Sequence, residues 1–329
     1  MPGPAVAGSR QRRAAPYTRR VPLYLTEGDV AQLAEPADAV PVIEACFRRM
    51  AAGAVEVMPR RRFPVDGGAF AVMAAADRDL GVAGLKSYTV VDGEAAFVVC
   101  LFELEGGALQ AVIEADRLGW LRTGAASGVA AAHLARRDAA SLGVIGCGWQ
   151  AASQLAAIRA AVPTLERSVA WCRSPDRLAS FCDAHGAVAA DGPQQAAACD
   201  VVVTATTSKD PVLRGDWLRD GTLVCAIGAN DPRARELDAQ VIARASFVCC
   251  DSIEDARIES GDLIDPIAAG QLDWLEVHEL HEVVAGDLAG RESDADVVLF
   301  KSNGIAAWDL AMAHELVRRA RERGVGREL

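Results

Sequence analysis

The sequence predicts an α/β protein in which a doubly wound parallel sheet follows a smaller strand-rich α+β unit. Three observations predict it. After Arg137 short apolar segments alternate with Ala-rich helical ones, the rhythm of successive βα units. The stretch "SLGVIGCGWQAASQLAAI" runs from an apolar strand through a glycine turn directly into a helical pattern. Before about Leu134, in contrast, short apolar runs are separated by Gly- and Asp-containing turns, the pattern of an antiparallel sheet. At roughly 150 residues per domain, the 329 residues make about two domains. The expected division is a tail at 1–20, a first unit at 21–135 joined by a C-terminal helix at 304–329, and the parallel sheet at 136–303.

Composition narrows the function classes. The chain is 51% apolar and 24% charged, a globular composition, and no stretch reaches the roughly eighteen apolar residues of a membrane span. A net charge of −11 repels phosphate backbones, and the folded part has no basic patch to overcome that. Nucleic acid and membrane are therefore not expected partners. The first twenty residues carry Arg10, Arg12, Arg13, Arg19 and Arg20 without an acid and read as a disordered basic extension. The nine cysteines are odd in number, lack CxxC spacing and sit among apolar neighbours, as small core residues do in a reducing cytoplasm.

In chain order, Thr26 with Asp29 three residues on marks a helix N-cap, and "PVIEACFRRMAAG" has helical spacing with Gly53 as its stop. Strands are expected around Val55–Met58, Phe70–Met73, Gly84–Val91, Ala96–Phe102 and Leu109–Glu114. "DRLGWLRTGAASGVAAAHLARR" is a long Ala-rich helix or helix pair linking the two units. Buried strands follow at Leu142–Ile145, Ser168–Cys172, Val201–Thr204, Thr222–Ile227 and Phe247–Cys250. The last segment supplies one more strand, a Ser-Asn-Gly turn and an amphipathic helix with Trp308, Leu310, Met312 and Leu316 toward a core. Asp251-Ser252-x-Glu254-Asp255 and Glu259-Ser260-Gly261-Asp262 read as solvated acidic loops. "HELHE" puts His278, His281 and Glu282 on one helical face without a third convergent ligand, so no metal site is expected.

Gly146-x-Gly148 is half of a dinucleotide fingerprint in the correct strand–turn–helix context, with Gln150 and Ala151 where the pattern continues. Glycines there let backbone N–H groups approach a pyrophosphate, which makes the expected sheet Rossmann-type. The second strand ends in "AWCRSPDR", where a carboxylate for ribose hydroxyls is missing. Arg173, Ser174 and Arg177 offer two guanidiniums and a hydroxyl to a 2′-phosphate, so NADPH is favoured, with NADH the alternative.

"LRTGAASGVA" (Leu121–Ala130), "GVIGCGWQ" (Gly143–Gln150), "IGANDPRAREL" (Ile227–Leu237) and "LFKSNGIAAWDL" (Leu299–Leu310) resemble, in order, four signatures of the ornithine cyclodeaminase/mu-crystallin family. The resemblance implies a substrate-binding first domain that also pairs subunits into a homodimer. It implies a basic cluster of Arg60, Lys86 and Arg122, with Asn303, around a small carboxylate substrate. It further implies cofactor contacts from Arg122, Thr123, Gly146, Gly148, Trp149, Gln150, Arg173, Thr204 or Thr206, Gly228 and Ser302. The residue chemistry agrees: a bidentate arginine grip fixes the α-carbon. A lysine in the apolar strand "VAGLKSYTVV" loses solvation, which lowers its pKa toward proton-transfer use. If Arg60-Arg61-Arg62 lies in a strand, Arg60 and Arg62 share a face and Arg61 points away.

One departure is informative. Where cyclodeaminases of this family carry an aspartate as general base, this chain has Asn230, with Asp231 next to it and Ala234 in place of a later lysine. An amide is no general base, so the expected activity is NADPH-dependent reduction of a small imino acid to an amino acid, or the reverse dehydrogenation. Two readings compete with it. One is ornithine cyclodeamination with Asp231 taking over the base's role, and the other is a mu-crystallin-like protein that binds a small ligand alongside NADPH.

Overall fold

The computed structural model describes residues 21–329, and the basic extension at 1–20 lies outside the described residues. The chain opens with β1 (Leu23–Leu25), α1 (Glu27–Leu33) and α2 (Pro36–Ala51). Thr26 Oγ1 accepts from the Asp29 N–H and the Asp29 carboxylate accepts from the Thr26 N–H at 2.9 Å, a reciprocal cap. Helix α2 begins earlier than its apolar spacing suggests because Pro36 occupies its first turn, where no N–H is needed. Five strands follow: β2 (Val55–Val65), β3 (Gly68–Asp77), β4 (Val82–Val91), β5 (Glu94–Glu103) and β6 (Leu109–Glu114). The Ala-rich segment is a single helix, α3 (Asp116–Leu134).

The second half contains β7 (Ser141–Ile145), α4 (Trp149–Ala161), β8 (Arg167–Trp171), α5 (Pro175–His185), β9 (Val188–Ala189), α6 (Pro193–Ala197) and β10 (Val201–Thr204). It continues with β11 (Leu223–Ala226), α7 (Ala239–Arg244), β12 (Ala245–Cys250), α8 (Ile253–Glu259) and α9 (Gly261–Ala268). The last elements are β13 (Val277–Glu279), α10 (Leu280–Ala285), β14 (Val297–Lys301), α11 (Ala306–Arg323) and β15 (Arg327–Glu328).

These strands form two sheets. The seven-stranded one, ordered β15-β1-β6-β5-β4-β3-β2, is antiparallel except where β1 pairs with β6. Its inner face, with Ala71, Met73, Val82, Val99 and Leu101 buried, packs against α11, and Phe47 of α2 meets Trp308 edge-on at 5.4 Å. The eight-stranded sheet is all parallel, ordered β13-β12-β14-β11-β10-β7-β8-β9. The chain leaves β7 toward β8 and returns on the other side through β10, so the crevice beyond these carboxyl ends is the switch point where such sheets bind ligands.

Two details position the cleft between the sheets. Helices α3 and α4 are in close contact because Gly124 has no side chain: an added Cβ would lie 2.1 Å from Ser153 Oγ. In β2 the pairing with β3 shifts between Met58 and Arg61, a bulge that re-aims Arg60.

Three expectations need correction. "HELHE" is not one helical face: His278 lies in β13 with its ring stacked on Phe247 at 5.0 Å, and His281 lies in α10. The acidic segments are not solvated loops, since they form α8, α9 and the turns around them with Asp251, Asp255, Glu259 and Asp262 at most 1% exposed. Cationic and N–H partners brought from distant parts of the chain account for that burial. The C-terminal helix ends at Arg323, and β15 then returns to pair with β1. Among the described residues no helix is long and apolar enough to cross a membrane.

Candidate active site

A cleft of about 610 Å³ lies between the inner face of the antiparallel sheet and the carboxyl ends of the parallel one. Strand alternation sets its floor. Met73 of β3 faces Lys86 of β4, and the next row joins Ala71, Tyr88 and Phe97 across β3, β4 and β5. Helix α3 adds Arg122 and Thr123, and the loops of the parallel sheet add Gly148, Trp149, Gln150, Thr206, Gly228, Asn230, Asp231, Ser302 and Asn303.

Lys86 is 3% exposed, and its Nζ donates to Asp309 Oδ1 at 3.1 Å. The same oxygen accepts from Arg122 Nε at 3.1 Å, so one carboxylate on α11 holds both cations. Both cation heads lie against glycines: an added Cβ at Gly119 would come within 2.9 Å of Lys86 Nζ, and one at Gly304 within 2.4 Å of Arg122 Nη1. Burial pulls the Lys86 pKa down to about 8; Asp309 opposes the shift, while Arg122 and Arg60 add to it. Arg122 also lies over the Trp308 ring at 5.8 Å. Among the described residues neither Nη group of Arg122 has a hydrogen-bond partner, and the residue lines the cleft.

Arg60 is held differently. Its Nη1 donates to Glu259, and its Nη2 donates to the carbonyls of Asn303 at 3.1 Å and Gly304 at 2.9 Å. Arg62, on the same face, reaches Glu259 at 2.6 Å and the Asn230 carbonyl at 3.0 Å, while Arg61 is exposed and points away. The two buried arginines are thus unequal: Arg122 keeps its Nη groups unpaired, and Arg60 spends one on Glu259 of α8 and the other on the loop after β14. On the opposite wall Asn230 is exposed, and Asp231 is bonded to Arg233 through both side-chain oxygens. That pairing holds Asp231 down to about 2, which makes it a poor proton acceptor.

The turn after β7 suits a dinucleotide. Gly146 sits at φ +120° with Ala205 O 2.3 Å from where a Cβ would be, and Gly148 opens α4 with no side-chain cap and open space at its Cβ position. The first N–H groups of α4 therefore face the cleft free for an anion. Trp149, half-exposed, stacks on Trp120 at 5.0 Å, and the Trp120 indole donates to the Trp149 carbonyl at 2.7 Å. Asn303 is buried at the cleft with neither side-chain atom hydrogen-bonded, a donor and an acceptor that a bound molecule would satisfy.

Some of the expected residues lie apart. Thr204 is fully buried and donates to Glu236 at 2.8 Å, outside the cleft lining, whereas Thr206 lines it. Arg173 and Arg177 are exposed beyond β8, and Ser174 caps α5 by accepting from the Arg177 N–H at 3.4 Å. Several buried acids escaped the sequence reading. Glu236 accepts from Thr204, from the Thr206 N–H and hydroxyl, and from the Gly228 N–H. Asp251 accepts from the Ser302 hydroxyl and from the N–H groups of Asn303 and Gly304. Asp309 is the lone charge in the apolar run "AAWDLAMA", the one available signal for it.

Comparison with known proteins agrees with this architecture. The chain is 31% identical to the iminosuccinate reductase of Paracoccus denitrificans over 93% of its own length and 99% of that protein's. It superposes with a TM-score of 0.88 on Thermococcus litoralis Delta(1)-pyrroline-2-carboxylate reductase in complex with NADH and L-proline, at 30% identity, covering 93% of this chain and 100% of that one. The same TM-score, 0.88, relates it to an archaeal alanine dehydrogenase dimer with bound NAD, at 32% identity, covering 94% and 99% of the two chains. The sequence model of the ornithine cyclodeaminase/mu-crystallin family matches residues 20–324, and the chain belongs to that family.

Proposed function

We propose that the protein is an NAD(P)H-dependent oxidoreductase that reduces a small imino acid, a ketimine or imine carboxylate, to the amino acid and runs the reverse dehydrogenation. The observation that carries this reading is the buried Lys86–Asp309–Arg122 group beside a glycine turn and an uncapped helix N-terminus in one cleft. Bound nicotinamide cofactor supplies the hydride. Arg122 grips the α-carboxylate through its two free Nη groups, and the Asn303 amide fills out the binding of substrate or cofactor. Lys86, poised near neutrality, gives its proton to the imine nitrogen and takes one back in the reverse direction. Thr123, Gly146, Gly148, Trp149, Gln150, Thr206, Gly228 and Ser302 form the cofactor side.

Three finer points belong to the same reading. NADPH is preferred over NADH, because β8 ends without a carboxylate and Arg173 and Arg177 stand exposed there, with no ion pair among the described residues. The working form is a homodimer, a reading supported by the archaeal alanine dehydrogenase, which is a dimer. The nine free cysteines suit a reducing cytoplasm.

The test is a paired assay on purified protein: oxidation of NADPH and of NADH with cyclic and acyclic imino acids, alongside ammonia release from ornithine with trace NAD. Imine-dependent oxidation without ornithine turnover is expected, at least tenfold faster with NADPH. Ammonia release without net cofactor change would mean cyclodeamination, and ligand binding without turnover would mean a binding protein.

A further inference from the structure

We propose that Asp309 is the positioning residue of this site, a single carboxylate oxygen that fixes the Lys86 ammonium and the Arg122 guanidinium relative to one another. The inference rests on the reading of Lys86 as proton donor. Asp309 is fully buried in the first turn of α11, and Oδ1 lies 3.1 Å from both cations. A carboxylate in a helix's first turn is favoured by the helix dipole, which keeps the charge in place without solvent. Its Oδ2 has no hydrogen-bond partner among the described residues, so every hydrogen bond this carboxylate side chain makes goes through Oδ1 to the two cations.

The geometry leaves each cation one bond to Asp309 and the rest of its donors for the cleft. Lys86 makes no other side-chain hydrogen bond among the described residues, and Arg122 offers Nε alone to the protein. Gly119 and Gly304 make the room that the two heads need. The charged groups around Lys86 are Asp309 from α11, Arg122 from α3 and Arg60 from β2, with the Phe97 ring 5.2 Å from Nζ. Asp309 is the one anion among those three, so its removal leaves Lys86 facing two guanidiniums. The proton then leaves Lys86 more readily, and Arg122 loses the contact that orients its fork.

The test combines two measurements on full-length wild type, Asp309→Asn and Asp309→Glu. Competitive labelling with acetic anhydride, read by mass spectrometry across pH, gives the Lys86 pKa without relying on turnover. The pH profile of kcat/KM for imine reduction gives the limb on which the donor loses its proton. Asp309→Asn should lower both by one pH unit or more and cut kcat at least tenfold, while Asp309→Glu keeps both within a few tenths of a unit. An unmoved labelling pKa in Asp309→Asn would overturn the assignment. If labelling moves and the rate limb does not, Lys86 is not the proton donor, and the reading beneath the proposal fails instead. Should Asp309→Asn not fold, Asp309→Glu decides: a labelling shift of a unit or more in that charge-conserving variant overturns the proposal.

Discussion

Lys86 is a cation held in an apolar strand between two arginines, and its chemistry follows from that arrangement. With its pKa brought down to about 8, it is protonated below that value and neutral above it. Imine reduction needs the protonated form and amino-acid oxidation the neutral one. The two directions should therefore have opposite pH profiles: reduction falls as pH rises through about 8, and oxidation rises through the same range. Initial rates in both directions from pH 6 to 10 check this, and parallel profiles would remove Lys86 from the proton path. At this scale the cations were legible in the sequence and their pairing was not. Lys86, Arg122 and Asp309 each stand out as lone charges in apolar or small-residue segments, but Asp309 lies 223 residues from Lys86 and Glu259 lies 199 from Arg60, so nothing local shows which charges pair. A burial pattern confined to neighbouring residues cannot show that Glu259 and Asp262 of "ESGD" and Asp255 of "SIED" turn inward.

Between elements, buried carboxylates tie the loops of the parallel sheet into one wall. Glu236 gathers the ends of β10 and β11 through Thr204, Thr206 and Gly228, and Asp262 takes the N–H groups of Glu236 and Leu237 while pairing with Lys301 at 3.1 Å. Glu236→Gln replaces one acceptor oxygen by an NH₂ group facing N–H and O–H donors. It should cost about 3 kcal/mol of stability, from a lost charged acceptor and unsatisfied donors, and weaken cofactor binding by loosening Thr206 and Gly228. Urea unfolding with and without cofactor measures both, and an unchanged midpoint would mean that the loops hold without it. The regular elements were the legible part of the fold. Apolar runs marked each long strand of the parallel sheet, but β2 runs on through Arg60–Arg62 because its hydrogen-bonded ladder with β3 continues past the apolar residues. Strands β1, β13 and β15 are too short to carry a pattern of their own.

For the whole molecule, the antiparallel sheet has one face too many. Its inner face is covered by α11, yet the outer face carries an apolar row of its own: Met58, Ala74, Leu85, Cys100 and Val112 run side by side across β2 to β6, none of them buried. A sheet face open to water ordinarily alternates to polar residues, and a contiguous exposed apolar row is the kind of surface that association covers. The homodimer proposed above would put a second copy there, a two-fold axis bringing the same row onto itself. Sedimentation velocity at micromolar concentration should give twice the 34.6 kDa chain mass for the wild type. Ala74→Glu puts a carboxylate in the middle of the row, where partner packing would have to desolvate it, while the cleft lies on the opposite side of the same strands. That variant should sediment as a monomer with its circular dichroism and NADH affinity retained. Its turnover should fall, because the strands carrying Arg60, Lys86 and Tyr88 lose the packing that stiffens them from behind. A wild type that is monomeric across that range would assign the outer face to something other than self-association.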